Sequence, residues 1–262
     1  MTGSRSGEEC GGPGVVAIIP ARFAATRFPG KVLAELHGRT LLEWVHRRAV
    51  QIRGVDQVWV ATDDDRIEEA ARAFGASVAR TRSDHVSGTD RIGEVLATLE
   101  PRPAFVLNLQ GDEPLLPVQA VERILRDRGE HPGAIFTLVE PVGGEDWQRP
   151  SVVKAVVSRD GRVLYFSRVA IPYPRNEEVG TRVRWRHVGI YGYPSDVLAR
   201  IVSLPPSPLE QTEGLEQLRW MEAGIPVYAS ETTAGSPGVD VPEDLERLRE
   251  IYPTVAAWEA AG

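Results

Sequence analysis

Cysteine is almost missing from this chain. Cys10 is the only one, set in a Gly-rich amino-terminal stretch, so neither an intrachain disulfide framework nor a cysteine-based metal site is available. No apolar run approaches the roughly 18 residues of a membrane span, and MTGSRSGEECGGPG at the start lacks the apolar segment of a signal peptide. A cytoplasmic protein with no membrane partner is the expectation. Positive charge is also short. The formal net charge is −7, which argues against a nucleic-acid partner held by bulk electrostatics, so any phosphate ligand must be met by local basic groups. Lysine is the scarcest of those, with only Lys31 and Lys154 among 30 Lys and Arg residues. Such a bias more often reflects genome base composition than function, yet it singles out two positions where arginine has not replaced lysine. His37, His46, His85, His131 and His187 have no metal-ligand spacing, and neither a G-x-S-x-G elbow nor a G-x-x-x-x-G-K-[ST] loop occurs.

What is present is an ordinary globular composition, 42% hydrophobic and 26% charged over 262 residues, enough for a substantial core. Residues 1–13, rich in Gly, Ser and Glu, read as a disordered tail, and residues 14–262 as a single domain. Val15 to Ile19 is a β-branched apolar run and therefore a buried strand. Thr40 reads as a helix cap ahead of Leu41, Leu42, Val45, Ala49 and Ile52 on one helical face. Val55 to Ala61 is a second strand. Asp63, Asp64 and Asp65 begin a helix that ends at Gly75, and Ser77 to Ala79 is a third strand. A helix from about Asp90 to Leu99, a strand from Ala104 to Leu109 and a helix from Val118 to Arg128 continue the alternation. Such β-α-β-α-β order with short connections predicts a parallel sheet covered by helices. After residue 134 strands dominate: Ala134 to Val139, Val152 to Ser158, Arg162 to Phe166 across an Asp160-Gly161 turn, and the aromatic Trp185 to Tyr193. A helix over Leu209 to Ala223, a strand at Val227 to Ser230 and a helix from Pro242 to Ile251 close the pattern. The expected class is α/β with a mixed β extension.

Three clusters could carry chemistry, all on loops at the carboxyl ends of strands, where ligands bind in open α/β sheets. The first follows the opening strand and holds Arg22, Thr26, Arg27, Gly30 and Lys31. Arg22 offers a planar fork and Lys31 a point charge for phosphate, against the plain alternative of a solvated basic loop. The second is Asp112 in LNLQGDEP, which suits a hard divalent cation or, equally simply, a helix cap. The third is Asp240 in PGVDVPED, where an acidic helix start is the stronger alternative. Two aspartates are enough for Mg²⁺ when phosphates supply the remaining oxygens. TRSDHVSGTDR, residues 81–91, is dense in short polar groups that suit a nucleobase or ribose. His187 sits in an aromatic strand beside Arg186 and near Tyr191, and either ligand contact or burial fits it.

In this order, IIPARFAATRFPGK, VATDD, TRSDHVSGTDR, LNLQGDEP, VLYFSRVAIP, RHVGIYGY, PSPLEQTEGLEQLR and PGVDVPEDLER closely resemble the 3-deoxy-manno-octulosonate (KDO) cytidylyltransferase family, the CMP-KDO synthetases. The resemblance spans about residues 15 to 250. It implies a nucleotide-diphospho-sugar transferase fold, Rossmann-like and GT-A-like, with three layers, a mixed central sheet and a β extension for dimerisation. It implies Mg²⁺-dependent transfer of CMP from CTP to a small acidic acceptor, KDO in lipopolysaccharide biosynthesis, with release of pyrophosphate. A homodimer joined around residues 165 to 195 is implied as well. By position, Arg22 and Lys31 would be the catalytic cations on the CTP phosphates, and Arg82, Ser87 and Thr89 the cytidine contacts. Asp112 and Asp240 would hold Mg²⁺, Asp112 beside the nucleotide. Gln110, Arg168, His187, Tyr191, Glu216 and Gln217 would meet the acceptor.

Two departures from the family pattern stand out. Ala25 replaces the serine of an A-S-T-R loop, and Arg149, Pro150 and Ser151 replace N-P-N. The arginine bias hints at a high-GC source, so a phosphonate acceptor such as phosphonoformate, in antibiotic biosynthesis, is the alternative to KDO. A GT-A-type glycosyltransferase is a more distant rival, with Asp63-Asp64-Asp65, which also reads as a helix start, the only D-x-D spacing beside a strand. A catalytically silent binding protein is the third, opposed by the joint presence of Arg22, Lys31, Asp112 and Asp240.

Overall fold

Val15–Pro20 forms β1, and both of its faces are covered: Val15, Ala17 and Ile19 enter one core while Val16 and Ile18 enter another. That is why the run is apolar without alternation. In the computed structural model, residues 14–176, 184–233 and 238–261 are described; the expected tail, with Cys10, lies outside the described residues.

A two-stranded hairpin, β2 (Glu35–Leu36) and β3 (Arg39–Thr40), stands apart from the main sheet. Within that sheet β1 pairs in parallel with β4 (Gln57–Thr62) on one side and β6 (Phe105–Asn108) on the other. β5 (Ser77–Arg80) extends the β4 edge, also in parallel. Beyond β6 the order stops following the chain. Neither β7 (Ile135–Pro141) nor the hairpin of β8 (Lys154–Val157) and β9 (Val163–Ser167) lies next to β6. Its neighbour is β10 (Trp185–Pro194), antiparallel to both β6 and β7, with β11 (Val227–Glu231) parallel to β7 at the far edge. β10 changes register between Val188 and Tyr191, and its first residues pair with β8 while its last pair with β6.

Helices cover both faces. On one, α1 (Leu41–Ala49), α2 (Asp65–Ala73) and α4 (Val118–Asp127) deliver Leu42, Val45, Ile67, Ala71, Val121 and Ile124. On the other, α3 (Gly88–Thr98), α5 (Ser195–Ile201), α6 (Pro208–Glu213) and α7 (Gln217–Glu222) frame a core holding Ile92, Val95, Leu198, Leu218 and Trp220. Each large apolar side chain fully buried this way is worth about 1.5–3 kcal/mol. A smaller core joins Leu36, Leu41 and Trp44 to α8 (Pro242–Ile251) and α9 (Val255–Ala260) through Leu245, Leu248 and Trp258.

Two expectations are corrected at element ends. The helix expected from Asp90 starts at Gly88, because Ser87 caps it and Asp90 returns a bond to the Ser87 backbone. The helix expected over Leu209 to Ala223 is two, since Gly214 turns left-handed at φ 62 and ends the first. α5 and α9 were not anticipated. From β1 the chain moves through α1 to β4 on one side, and it returns through α3 to β6 on the other. This reversal opens a crevice beyond the carboxyl ends of β1 and β6.

Candidate active site

The loop after β1 folds back on Phe23, whose carbonyl accepts from the Ala25 and Gly30 amides, both at 2.8 Å. The Arg66 guanidinium lies 3.3 Å above the Phe23 ring. Gly30 has φ 70, and a Cβ there would come within 2.6 Å of that ring, so the turn requires glycine. It delivers Lys31 to the crevice floor and leaves Arg22 exposed on the wall, where it makes no hydrogen bond or ion pair with a described residue.

Opposite stand the two aspartates. Val239 donates its amide to the Asp112 carbonyl at 2.9 Å, which ties the loop after β6 to the segment before α8. Asp244 takes over helix capping, accepting from the Asp240 and Val241 amides at 2.8 and 3.0 Å. The Asp240 carboxylate is thereby free of capping and lies 2.9 Å from Lys31 Nζ and 3.0 Å from Arg27. Asp112 contacts the same ammonium. Burial works against charge on Lys31, but Asp112 and Asp240 outweigh it and hold its pKa above the usual lysine value. Burial likewise opposes charge on Asp240, while Lys31 and Arg27 keep its pKa below the ordinary range.

Two hard carboxylates converging on one cationic atom are a donor set that fits Mg²⁺. Among the described residues there is no cluster of three or more His, Cys, Asp or Glu, so a metal here would take its other oxygens from substrate or water.

The third wall is the start of α3. Ser87 and Gly88 line a cleft of about 310 Å³ together with Arg22, Lys31, Gln110, Asp112 and Asp240. Helix amino termini favour anions. Gly88 and Gly111 both press on Pro20, where a Cβ would meet it at 3.3 Å. Two cleft residues escaped the sequence reading. Arg91 is 4% exposed and ties Asp63, at 2.9 Å, and Thr81 to the base of α3. His85 contacts Glu94, which also accepts the Arg82 amide at 3.0 Å. Both lie inside TRSDHVSGTDR, so the segment was visible while their individual parts were not. The Arg82 side chain itself pairs with Asp84 at 2.9 Å, in a neighbouring groove outside the cleft.

Residues 16–232 match the cytidylyltransferase family. The chain is 45% identical over 237 residues to the 3-deoxy-manno-octulosonate cytidylyltransferase of Escherichia coli, covering 90% of this chain and 95% of that one. The enzyme of that name from Myxococcus xanthus is 44% identical over 237 residues, with 90% and 95% covered. The chain belongs to the 3-deoxy-manno-octulosonate cytidylyltransferase family. A solved CMP:2-keto-3-deoxy-manno-octonic acid synthetase complexed with CTP has a TM-score of 0.85 at 45% identity, covering 90% of this chain and 97% of that one. A cytidylyltransferase from Leptospira borgpetersenii shares the fold at 19% identity, with a TM-score of 0.63 and 93% and 89% covered.

In this cytidylyltransferase the remaining site residues form a second group beside the cleft. Gln110 lines the cleft and donates to the Gly189 carbonyl at 3.0 Å, reaching the register shift of β10. His187 Nε2 lies 3.0 Å from Thr137 Oγ1, which also faces the carbonyls of Val188 and Ile190 at 3.2 and 2.9 Å. With the threonine proton directed at a carbonyl, Nε2–H is the donor and Nδ1 stays an acceptor. Burial, helped by Arg186, pushes the His187 pKa down to about 3, so the ring is neutral. Tyr191 is buried against His187 and Trp220, with ring centroids 5.2 and 5.1 Å away.

Glu216 accepts from the Ser87 and Thr89 hydroxyls at 2.8 and 2.9 Å, joining the α3 segment to the α6–α7 junction. Burial raises its pKa against the pull of those hydroxyls. Gln217 is buried next to it. Arg168 donates to the carbonyls of Glu213, Gly214 and Pro150 at 2.7, 3.1 and 3.2 Å. The structure thus gathers Arg22, Lys31, Ser87, Gln110, Asp112 and Asp240 around one cleft. Thr89, Arg168, His187, Tyr191, Glu216 and Gln217 lie in the layer behind it. At the departures, a methyl of Ala25 lines the cleft, and the Arg149 and Pro150 carbonyls, not their side chains, meet Lys154 and Arg168.

Proposed function

We propose that the protein transfers CMP from CTP to KDO, releasing pyrophosphate, in a Mg²⁺-dependent reaction in the cytoplasm. The observation that carries this is 45% identity over 90% of the chain to a named KDO cytidylyltransferase; the clustering of Arg22, Lys31, Asp112 and Asp240 on one cleft supports it. In this reading an acceptor oxygen attacks the α-phosphorus in line, and charge grows on the leaving pyrophosphate. Arg22, Lys31 and the amino terminus of α3 would neutralise that charge, with Lys31 exchanging the carboxylates it pairs with here for phosphate oxygens. Asp112 and Asp240 would hold Mg²⁺, which when bound orients the triphosphate and lowers the pKa of a coordinated hydroxyl. Neutral His187, with Nδ1 as acceptor, is suited to a sugar hydroxyl, and Arg168 to an acidic group.

Pyrophosphate release is measured with CTP, Mg²⁺ and KDO, and in parallel with phosphonoformate in place of KDO. Turnover with KDO is expected. Turnover with the phosphonate alone would reassign the acceptor, and none with either acid in folded protein would refute cytidylyl transfer. A homodimer belongs to the same reading. Leu164, Val169 and Tyr173, on β9 and the segment after it, expose 55%, 64% and 86% of their surfaces, large apolar side chains that a second copy would cover in this reading. Residues 177–183 of the expected dimer region lie outside the described residues.

A further inference from the structure

Lys154 is fully buried. Its Nζ donates to three backbone carbonyls, those of Arg149, Val152 and Arg168, at 2.9, 2.6 and 2.5 Å. All three donors of the group are thereby engaged. Burial pushes its pKa down, and the neighbouring Arg168 adds to that. A guanidinium spreads its donors in a plane, as Arg168 does over the carbonyls of Glu213, Gly214 and Pro150, whereas a tetrahedral ammonium gathers three carbonyls around one nitrogen. This accounts for one of the two lysines in a chain whose other basic side chains of this length are arginine.

The position of that knot is informative. Lys154 is in register with Ser167 on β9 and with Arg186 on β10. Arg168 follows directly after β9 and His187 is the next residue on β10, where the His187 amide donates to the Val153 carbonyl at 2.8 Å. Arg168 carries the link onward. Its amide and the Ser167 hydroxyl bind the Glu213 carboxylate at 3.0 and 2.6 Å, and its guanidinium holds the carbonyls of Glu213 and Gly214. Two residues later Glu216 reaches Ser87 and Thr89 on the cleft wall.

We propose that Lys154 is a positioning residue for the acceptor half of the site: its ammonium fixes the three-strand junction from which Arg168 and His187 project. The proposal rests on the reading of an acidic acceptor beside those two residues. It predicts a defect centred on the acceptor, because Arg168 and His187 flank the junction directly, whereas the loop of Arg22 and Lys31 is built on β1 and Ser87 and Thr89 are reached only indirectly, through Glu213, Gly214 and Glu216.

Lys154→Met removes the ammonium, and Lys154→Gln keeps two donors near the carbonyls should the first variant not fold. Each is compared with wild type in steady-state assays and in calorimetric titration with CTP and Mg²⁺ at 15 °C. The KM for KDO is expected to rise about ten- to a hundredfold, with the Kd for CTP held within about twofold. A KDO KM unchanged in folded variants overturns the proposal. So does a loss of CTP affinity in step with the acceptor defect, or a failure of both variants to bind CTP, since Lys154 would then serve only the fold. Wild-type protein that releases no pyrophosphate with KDO overturns the underlying functional reading instead.

Discussion

Lys31 holds its ammonium between two carboxylates at the cleft, with 15% of its side chain exposed. Lys154 encloses the same group among carbonyls that carry no net charge. The carboxylates are therefore the part of the first arrangement that can exchange one cation for another. Asp112→Asn keeps the shape and removes the charge, and it is expected to lower kcat by about two to three orders of magnitude with little change in melting temperature. A near-normal rate in the pyrophosphate assay would exclude a metal role for Asp112. His187 gives a separate, pH-dependent outcome. Its pKa is about 3 when folded and 6.5 as a free side chain, so the unfolded chain binds the extra proton between those values. Its contribution to stability is complete above about pH 6.5 and declines as the pH falls toward 3. Unfolding midpoints followed from neutral pH down to about pH 4 should therefore drop less in His187→Gln than in wild type. Parallel profiles would show that the ring is not held neutral. At this scale the sequence named Lys31, Asp112 and Asp240 from residue type and strand position. It could not separate a ligand from a cap at Asp240, because Asp244 four residues later decides which carboxylate caps.

Among the elements, the loop after β1 depends on one glycine. Gly30→Ala would place a methyl 2.6 Å from the Phe23 ring and strain a positive φ, displacing the ring from under Arg66. The expected result is a Kd for CTP weakened by about tenfold, with a loss of stability of about 1–3 kcal/mol; unaltered titration curves would contradict the loop's role. Elements whose ends rest on side-chain chemistry were legible: Thr40 caps α1 as read, at 3.1 Å to the Glu43 amide, and Asp64 caps α2. The S-x-x-D box at Ser87 carried equal information and was overlooked in favour of the acidic Asp90. The break at Gly214 was harder. Leu215 and Leu218 follow it at helical spacing, so the hydrophobic period gives no sign that the chain turns and presents Glu216 to α3.

For the molecule as a whole, alternation of strand and helix identified the parallel half through β6, and the aromatic run identified β10. Where β10 goes was not readable, because an antiparallel insertion between β6 and β7 depends on partners 83 to 89 and 44 to 56 residues earlier, while periodicity reports only local exposure. Association belongs at this scale. Sedimentation should give twice the chain mass of 28.8 kDa, and Tyr173→Glu combined with Val169→Glu should shift the species toward monomer by burying charge in an apolar contact. Wild-type protein sedimenting as a monomer at micromolar concentration would remove the dimer from the functional reading.

The placement of β10 also sets an order of assembly. β6 is complete once Asn108 has been made, but one of its two edges has no neighbour until Tyr191 to Pro194 emerge. β7 waits on the same strand. Throughout that interval the growing chain carries a largely apolar strand, Phe105–Asn108, paired on its β1 side only, and an open edge of this kind templates aggregation. The strand that carries His187 and Tyr191 is thus also the one that closes the nascent sheet, so a ribosome stalled between them leaves a product with an open, adhesive sheet edge.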